Sequence, residues 1–302
     1  MKILVVGAGA VGGYFGARLA EKGEDVTFLV RERRFEELCA GLHVKSLHGD
    51  ITYSPRLIRT GEKGTFDVIL LSTKAYHLEQ VLEDIKPFVA TDTYILPLLN
   101  GMAHLKQLEQ HFGAERVLGG LCFIESTLDA QGHIVQTSPS HHLLFGPLPG
   151  TRPDRLEELK QHLEGTLAPI KYSDSITSDM WNKYLFITTF SGVTSLFRSA
   201  IGPIRSQEEG MMMIRRLATE AKEAMERQGA VFSDGIEQIQ QQQIAQMDET
   251  MKSSLQRDME KGNEVESAHL FGTLLSKDEA TQVMLPAIYA NLEIYRMSRK
   301  DV

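Results

Sequence analysis

A glycine-rich turn near the N-terminus constrains the fold more than any other feature of the sequence. The apolar run over residues 2–6 predicts a buried strand, and a helical pattern follows over residues 11–22. The turn that joins them reads Gly7-Ala8-Gly9-Ala10-Val11-Gly12. Glycines at this spacing between a strand and a helix are typical of dinucleotide-binding folds.

Each glycine of this turn has a predicted role. Gly7 permits the tight turn, Gly9 lets the backbone approach a pyrophosphate, and Gly12 allows the helix to pack closely against the strand. The backbone N–H groups and the positive end of the helix stabilise the phosphate charge. We therefore assign the whole turn to cofactor binding rather than to a purely structural role.

The first half of the chain alternates apolar runs with amphipathic segments, which is the pattern of βαβ units in a parallel sheet. The predicted strands cover residues 2–6, 25–30, 67–72 and 93–96. The predicted helices cover residues 11–22, 77–89 and 104–111. A hairpin is expected over residues 42–54, and strands over 121–128 and 133–136 are expected to add an antiparallel extension to the sheet.

After a short strand over residues 170–172, the pattern changes to long helical segments with few turn residues. The predicted helices cover residues 178–197, 207–228, 233–250, 263–275 and 282–299. A chain of 302 residues is long enough for two hydrophobic cores. We predict an α/β Rossmann domain over residues 1–170 and an all-α domain over residues 171–302.

Composition and charge exclude several classes of function. The net charge of −8 and the lack of a basic stretch argue against nucleic-acid binding. No apolar run reaches the roughly 18 residues of a membrane-spanning helix, and no signal-peptide pattern precedes the first strand. The two cysteines, Cys39 and Cys122, share no metal-ligand or redox spacing. We expect two buried thiols, no metal site and a cytoplasmic location.

The residue at the end of the second strand indicates which cofactor is bound. An acidic residue there would accept a hydrogen bond from the ribose of NAD, but this chain has Arg31, with Arg33 and Arg34 close behind. A guanidinium pairs well with a 2′-phosphate, so NADP(H) is favoured. The alternative is a solvated basic loop.

Two polar residues directly follow predicted strands. Lys74 comes after the strand over residues 67–72, and Asn100 after the strand over residues 93–96. Ligands of doubly wound folds collect at the carboxyl ends of the strands, so both are candidate site residues. Taken singly, each also fits an ordinary loop residue.

Together, these residues resemble a known family. The glycine turn, Arg31, Thr73-Lys74-Ala75, Asn100-Gly101-Met102, Trp181-Asn182-Lys183, Ser253-Ser254, Asp258 and Glu266 stand in the order and at the spacing of the ketopantoate reductases. The resemblance covers nearly the whole chain. It implies a Rossmann domain followed by an all-α domain of the 6-phosphogluconate dehydrogenase C-terminal-like type, and NADPH-dependent reduction of 2-dehydropantoate to pantoate in pantothenate and coenzyme A biosynthesis.

The resemblance also assigns roles to individual residues. Lys183 matches the family's proton donor, and Glu266 matches an acid near nicotinamide and substrate. Asn100 matches a contact with both cofactor and substrate, Lys74 a cofactor contact, and Ser254 a substrate contact. Without the resemblance, Lys183 and Glu266 would be interpreted as solvated helix residues.

The predicted substrate pocket departs from the family pattern. The positions four and eight residues after Lys183, which lie on the same helix face, hold Ile187 and Ser191 where the family has asparagines. A further family asparagine is replaced by Ile201, and Ser267-Ala268 replaces the usual Ile-Asp after Glu266. Because pocket contacts set specificity, a different 2-keto acid with a more apolar end is an alternative substrate.

A third hypothesis is a non-catalytic NADP(H)-binding sensor, because a fold alone does not fix function. Retention of Lys183, Glu266 and Asn100 together argues against it. The long C-terminal helices fit either a homodimer interface or packing within one chain, so a homodimer remains one of two possibilities.

Overall fold

A computed structural model of the chain describes residues 1–276 and 282–300. The chain divides into two compact units: Met1–Leu99 with His104–Thr177, and Asn100–Ala103 with Ser178–Val302. The short segment Asn100–Ala103 therefore belongs to the second unit, although the chain on both sides of it belongs to the first. The boundaries predicted from the sequence, 1–170 and 171–302, remain predictions, and residues 277–281 and 301–302 lie outside the described part.

The strands of the structure all lie in the first unit. They are β1 (Lys2–Val6), β2 (Asp25–Val30), β3 (Leu42–Ser46), β4 (Ile51–Tyr53), β5 (Arg56–Arg59), β6 (Val68–Leu71), β7 (Tyr94–Pro97), β8 (Leu118–Leu128), β9 (Ile134–Pro147) and β10 (Ile170–Tyr172).

Twelve α-helices are described. They are α1 (Ala10–Lys22), α2 (Glu32–Cys39), α3 (Leu78–Ile85), α4 (Ala103–Phe112), α5 (Leu156–Leu163), α6 (Ile176–Phe197), α7 (Ile201–Arg205), α8 (Glu208–Glu226), α9 (Ile236–Gln246), α10 (Ser254–Glu260), α11 (Ser267–Leu270) and α12 (Met284–Lys300).

A five-stranded parallel sheet forms the centre of the first unit, with strand order β5-β2-β1-β6-β7. Strand β1 pairs with β2 on one edge and β6 on the other, so that Val5 lies beside Phe28 and Leu70. These three side chains are buried, as expected for a parallel sheet with both faces covered. The predicted Rossmann-type α/β fold is confirmed.

A second sheet contradicts the expected extension of the first. Strands β8 and β9 pair antiparallel, with a bulge between Ile124 and Ser126, and β9 also pairs in parallel with β3 and β10. The hairpin of β3 and β4 thus joins this second sheet instead of the first. The prediction was wrong because β9 runs over Ile134–Pro147, far beyond residue 136, through polar residues that obscure its alternation.

Other differences between the prediction and the structure occur at elements that are short or rich in charged residues. The structure adds α2, β5, α5, α7 and α10, and the single helix predicted over residues 263–275 is instead the short α11 followed by a 3-10 turn over Gly272–Leu274. The expectation of two buried thiols is also wrong for Cys39, which is exposed at the end of α2, whereas Cys122 is buried.

In the second unit, every described element is helical, which confirms the mostly helical class predicted for this part of the chain. Its core includes Trp181 and Tyr184 of α6, Leu217 of α8 and Leu285 of α12. The hydroxyl of Tyr184 donates a hydrogen bond to the carbonyl of Leu270 at 2.7 Å, which attaches α6 to α11. Burial raises the pKa of this phenol above its ordinary value.

A buried carboxylate holds the start of α12. Oε2 of Glu220, on α8, accepts hydrogen bonds from the backbone N–H groups of Val283, Met284 and Leu285 at 2.7–3.1 Å. These donors stand at the helix N-terminus, where no intrahelical acceptor is available to them.

Replacing Glu220 with alanine is expected to lower the free energy of unfolding by about 2–3 kcal/mol, because the substitution leaves buried N–H groups without an acceptor. Urea denaturation measures the change. The matched control is Glu223→Ala, an exposed position on the same helix. Equal stability of the two variants would contradict this role.

Candidate active site

Two glycines of the N-terminal turn are required by packing within the protein. Gly7 has φ +95°, and a Cβ there would lie 2.4 Å from the carbonyl oxygen of Ser72 at the end of β6. A Cβ on Gly12 would lie 2.4 Å from the carbonyl oxygen of Gly7. Any side chain at either position would collide with backbone, so both glycines are fixed by the approach of α1 to β1 and β6.

Gly9 differs, because a Cβ there would meet no protein atom within 4 Å. Gly9 precedes α1, and neither a capping side chain nor an acidic residue of the first turn occupies the N–H groups at that end. A helix start with free N–H groups and a positive dipole end suits an anion. The turn therefore fits a dinucleotide pyrophosphate, with the open space at Gly9 on the ligand side.

The remaining residues of the turn support its shape. Ala8 is buried, Ala10 begins α1, and Val11 packs against the core of the first unit. Their contribution to cofactor binding is through the backbone and remains a prediction.

The three arginines after β2 have different environments. Arg33 and Arg34 both pair with Glu37, at 3.2 and 2.8 Å. Arg31 is exposed at the start of α2, and its guanidinium makes no ion pair with any described residue. Of the three, Arg31 is therefore the guanidinium left for an external anion.

The structure gives Arg34 a role that the sequence did not indicate. Its Nε donates to the carbonyl of Ala8 at 2.9 Å, and its Nη1 donates to the carbonyl of Gly132 at 3.0 Å. The guanidinium thus ties the glycine turn to the turn between β8 and β9. Its hydrogen bond to Glu37 also lowers the pKa of that carboxyl. No sequence pattern marks these contacts.

Lys74 lies just beyond β6, where it precedes a 3-10 turn over Ala75–His77. The same strand end places the Ser72 carbonyl against Gly7. Lys74 is therefore at the carboxyl edge of the parallel sheet, close in the fold to the glycine turn, as predicted from its position after a strand.

Asn100 and Lys183 meet in the second unit. Nζ of Lys183, on α6, donates to Oδ1 of Asn100 at 2.9 Å, and the lysine is only 8% exposed. A buried ammonium is unusual, since most lysines are solvated, and the Asn100 side chain gives this one a hydrogen-bond acceptor. The structure thus brings together two residues that lie far apart in the sequence.

His269, on α11, also contacts this pair and was missed in the sequence. Its Nε2 lies 2.8 Å from the carbonyl oxygen of Asn100. Burial lowers the pKa of this imidazole, and the nearby charge of Glu266 opposes that shift. Glu266 directly precedes α11, so one short segment carries both side chains.

Two family models match the chain. The description "Ketopantoate reductase PanE/ApbA" matches residues 3–150, and "Ketopantoate reductase PanE/ApbA C terminal" matches residues 175–299. The chain belongs to the ketopantoate reductase family. It is accordingly an oxidoreductase, similar to the 2-dehydropantoate 2-reductases.

Individual relatives and solved structures resemble this ketopantoate reductase family member over nearly its whole length. The "Uncharacterized oxidoreductase YkpB" of Bacillus subtilis is 44% identical over 99% of the chain and 100% of its own length. The crystal structure of 2-dehydropantoate 2-reductase from Geobacter metallireducens is 28% identical, with TM-score 0.86, over 99% of the chain and all of that protein. D-mandelate dehydrogenase, solved with NADH and anilino(oxo)acetate, shares the fold at TM-score 0.86 and 17% identity, over 99% of the chain and all of that protein.

The residues that depart from the pattern of ketopantoate reductases occupy distinct environments. Ile187 is half-buried and packs against the core of the second unit, and Ser191 is buried. Ile201 is fully buried. Its side chain therefore belongs to the hydrophobic core, where an asparagine would need buried hydrogen-bond partners.

Ser254 is exposed at the first position of α10, and its neighbour Ser253 caps that helix. The Ser253 hydroxyl accepts from the N–H of Gln256 at 3.1 Å and from Thr194 of α6 at 2.9 Å. Ser253 is thus occupied by structural contacts, whereas the side chain of Ser254 is exposed.

No group of three potential metal ligands occurs among the described residues. Within the same part of the chain, no helix has the length and hydropathy needed to cross a membrane.

Proposed function

We propose that the chain reduces 2-dehydropantoate to pantoate with NADPH. The observation that carries the proposal is the buried ammonium of Lys183, held by the Asn100 side chain in a member of the ketopantoate reductase family. This is the arrangement expected of a proton donor for a ketone.

The first unit has the features needed to bind the cofactor. The N–H groups at the start of α1 bind the pyrophosphate, and the open space at Gly9 admits it. Arg31 pairs with the 2′-phosphate, and Lys74 binds at the carboxyl edge of the sheet. Bound NADPH supplies a hydride to the ketone carbon.

The second unit supplies the proton. Negative charge develops on the ketone oxygen as the carbon is reduced, and Nζ of Lys183 donates a hydrogen bond to that oxygen and then its proton. Asn100 keeps Nζ in place and contacts both cofactor and substrate. Glu266 binds near nicotinamide and substrate, and Ser254 holds the substrate, with Ile187 and Ser191 lining its site.

A second candidate function is reduction of another 2-keto acid whose far end is apolar. Ile187 favours it, since this half-buried side chain follows Lys183 by one helical turn and offers no hydrogen bond to a hydroxyl. The fold also serves D-mandelate dehydrogenase, so fold alone does not choose the substrate.

Initial rates of NADPH oxidation with ketopantoate and a panel of apolar 2-keto acids distinguish these functions. We expect kcat/KM to be highest for ketopantoate. A higher kcat/KM for an apolar 2-keto acid would show that this acid, and not ketopantoate, is the preferred substrate. The proposed type of reaction would be unchanged. A lack of turnover across the panel would favour the NADP(H)-binding sensor.

Replacing Arg31 with alanine is expected to weaken NADPH binding by about 10–100-fold, because a charge-assisted phosphate contact is lost. NADH affinity should change little, since NADH lacks the 2′-phosphate. Titration of cofactor fluorescence measures both dissociation constants. The matched control is Arg33→Ala, an exposed arginine in the first turn of the helix that Arg31 precedes. Equal losses for NADPH and NADH would contradict a phosphate role for Arg31.

We further propose that the reaction takes place in the cytoplasm, as a step of pantothenate and coenzyme A biosynthesis. The free thiols of Cys39 and Cys122 fit a reducing compartment.

We also propose a homodimer, for which light scattering of the purified protein should give twice the mass of the 33.8 kDa chain. A single-chain mass would contradict it.

A further inference from the structure

We propose that His269 is a positioning residue that fixes Asn100, and through it the direction of the Lys183 ammonium. The proposal rests on the proposed reductase function. In this proposal, His269 contacts neither the ketone carbon nor the ketone oxygen of the substrate. It acts through its hydrogen bond to the Asn100 backbone.

The hydrogen bond between His269 and Asn100 has a defined donor and acceptor. The Asn100 carbonyl oxygen can only accept a hydrogen bond, so Nε2 of His269, 2.8 Å away, carries the proton. The imidazole is half-buried, and burial lowers its pKa. The Nε2–H group of the ring is therefore committed to Asn100.

The neighbouring glycine lets the ring come close. Gly101 has φ +79°, and a Cβ on it would lie 3.3 Å from Nε2 of His269. The conformation of Gly101 turns the chain sharply after Asn100, and the absence of a side chain leaves room for the imidazole. His269 therefore hydrogen-bonds Asn100 and occupies the space that a side chain at position 101 would need.

Asn100 is consequently held at both ends. Its main-chain carbonyl accepts from His269, and its side-chain oxygen accepts from Lys183. With the first bond removed, the Asn100 backbone can rotate, and the acceptor for Nζ moves with it. Small displacements of a proton donor from the reacting oxygen are costly, since about 1 Å of misplacement can reduce the rate about 100-fold.

Two substitutions separate this role from simple packing. His269→Gln keeps an N–H donor near the position of Nε2, whereas His269→Phe keeps the ring and removes the donor. We expect kcat of the Phe variant to fall by about 10–100-fold, because the Lys183 ammonium is then no longer held in one direction. We expect the Gln variant to stay within about 3-fold of the wild type, because a bond to the same carbonyl is restored.

The outcomes distinguish this inference from the proposed function. Equal kcat for the wild type and the Phe variant, or equal losses in the Gln and Phe variants, would overturn the role of His269. A wild type that reduces no 2-keto acid would overturn the proposed function. Thermal melting shows whether each variant folds.

Nitrogen NMR of the wild type provides a second measurement that requires neither turnover nor a variant. We expect the resonances of His269 to show a slowly exchanging proton on Nε2. A ring protonated at Nδ1 alone would contradict the inference, because that tautomer cannot donate to Asn100.

Discussion

Replacing Lys183 with alanine is expected to lower kcat by about 10²–10⁴-fold, the usual contribution of a positioned general acid. In the proposed reaction, the buried ammonium stabilises charge on the ketone oxygen and then protonates it, and alanine can do neither. NADPH affinity should be nearly unchanged, because the glycine turn and Arg31 belong to the first unit.

Steady-state rates and fluorescence titration of NADPH test this expectation together. The matched control is Lys171→Ala, since Lys171 is an exposed residue of β10 with no assigned role. If the Lys183→Ala variant retained full kcat, Lys183 would not be the proton donor. A loss of NADPH affinity with unchanged kcat would assign Lys183 to cofactor binding instead.

Replacing Gly9 with alanine is expected to weaken binding of NADPH and NADH alike by about 10–100-fold, without loss of stability. The backbone at Gly9 is extended, with φ −87° and ψ −161°, which alanine also adopts. The added methyl group meets no protein atom, so it obstructs only a ligand that approaches the turn.

Gly12→Ala is the contrasting control. Its methyl group would meet the carbonyl of Gly7, so it should lower the melting temperature as well as cofactor affinity. Melting curves and cofactor titrations of both variants separate the two effects. Unchanged cofactor affinity in Gly9→Ala would show that the pyrophosphate does not approach this turn.

Much of the parallel sheet could be predicted from the sequence because its strands are uninterrupted apolar runs. Strands β1 and β6 are buried on both faces, and this produces a signal that does not depend on distant contacts. Strand β9 gives no such signal, since its exposed positions and His141 and His142 interrupt the pattern. Helix α2 is hidden for a related reason, because only Leu38 of its eight residues is buried.

The candidate site was less accessible to sequence reasoning. Asn100 is indicated by its place after a strand, but the meeting of Asn100 with Lys183 bridges 83 residues. The contact of His269 with Asn100 bridges 169 residues, and that of Arg34 with Ala8 bridges 26. Contacts of this kind depend on the packing of whole elements, so local propensity and periodicity do not reveal them.

NADPH that carries deuterium at the transferred position of nicotinamide C4 tests the claim that hydride passes from the cofactor to the carbonyl carbon of a 2-keto acid. Mass spectrometry of the product from ketopantoate should show one deuterium, bound to the carbon that was the ketone. An unlabelled hydroxy acid, or oxidation of NADPH without any hydroxy acid, would contradict the claim.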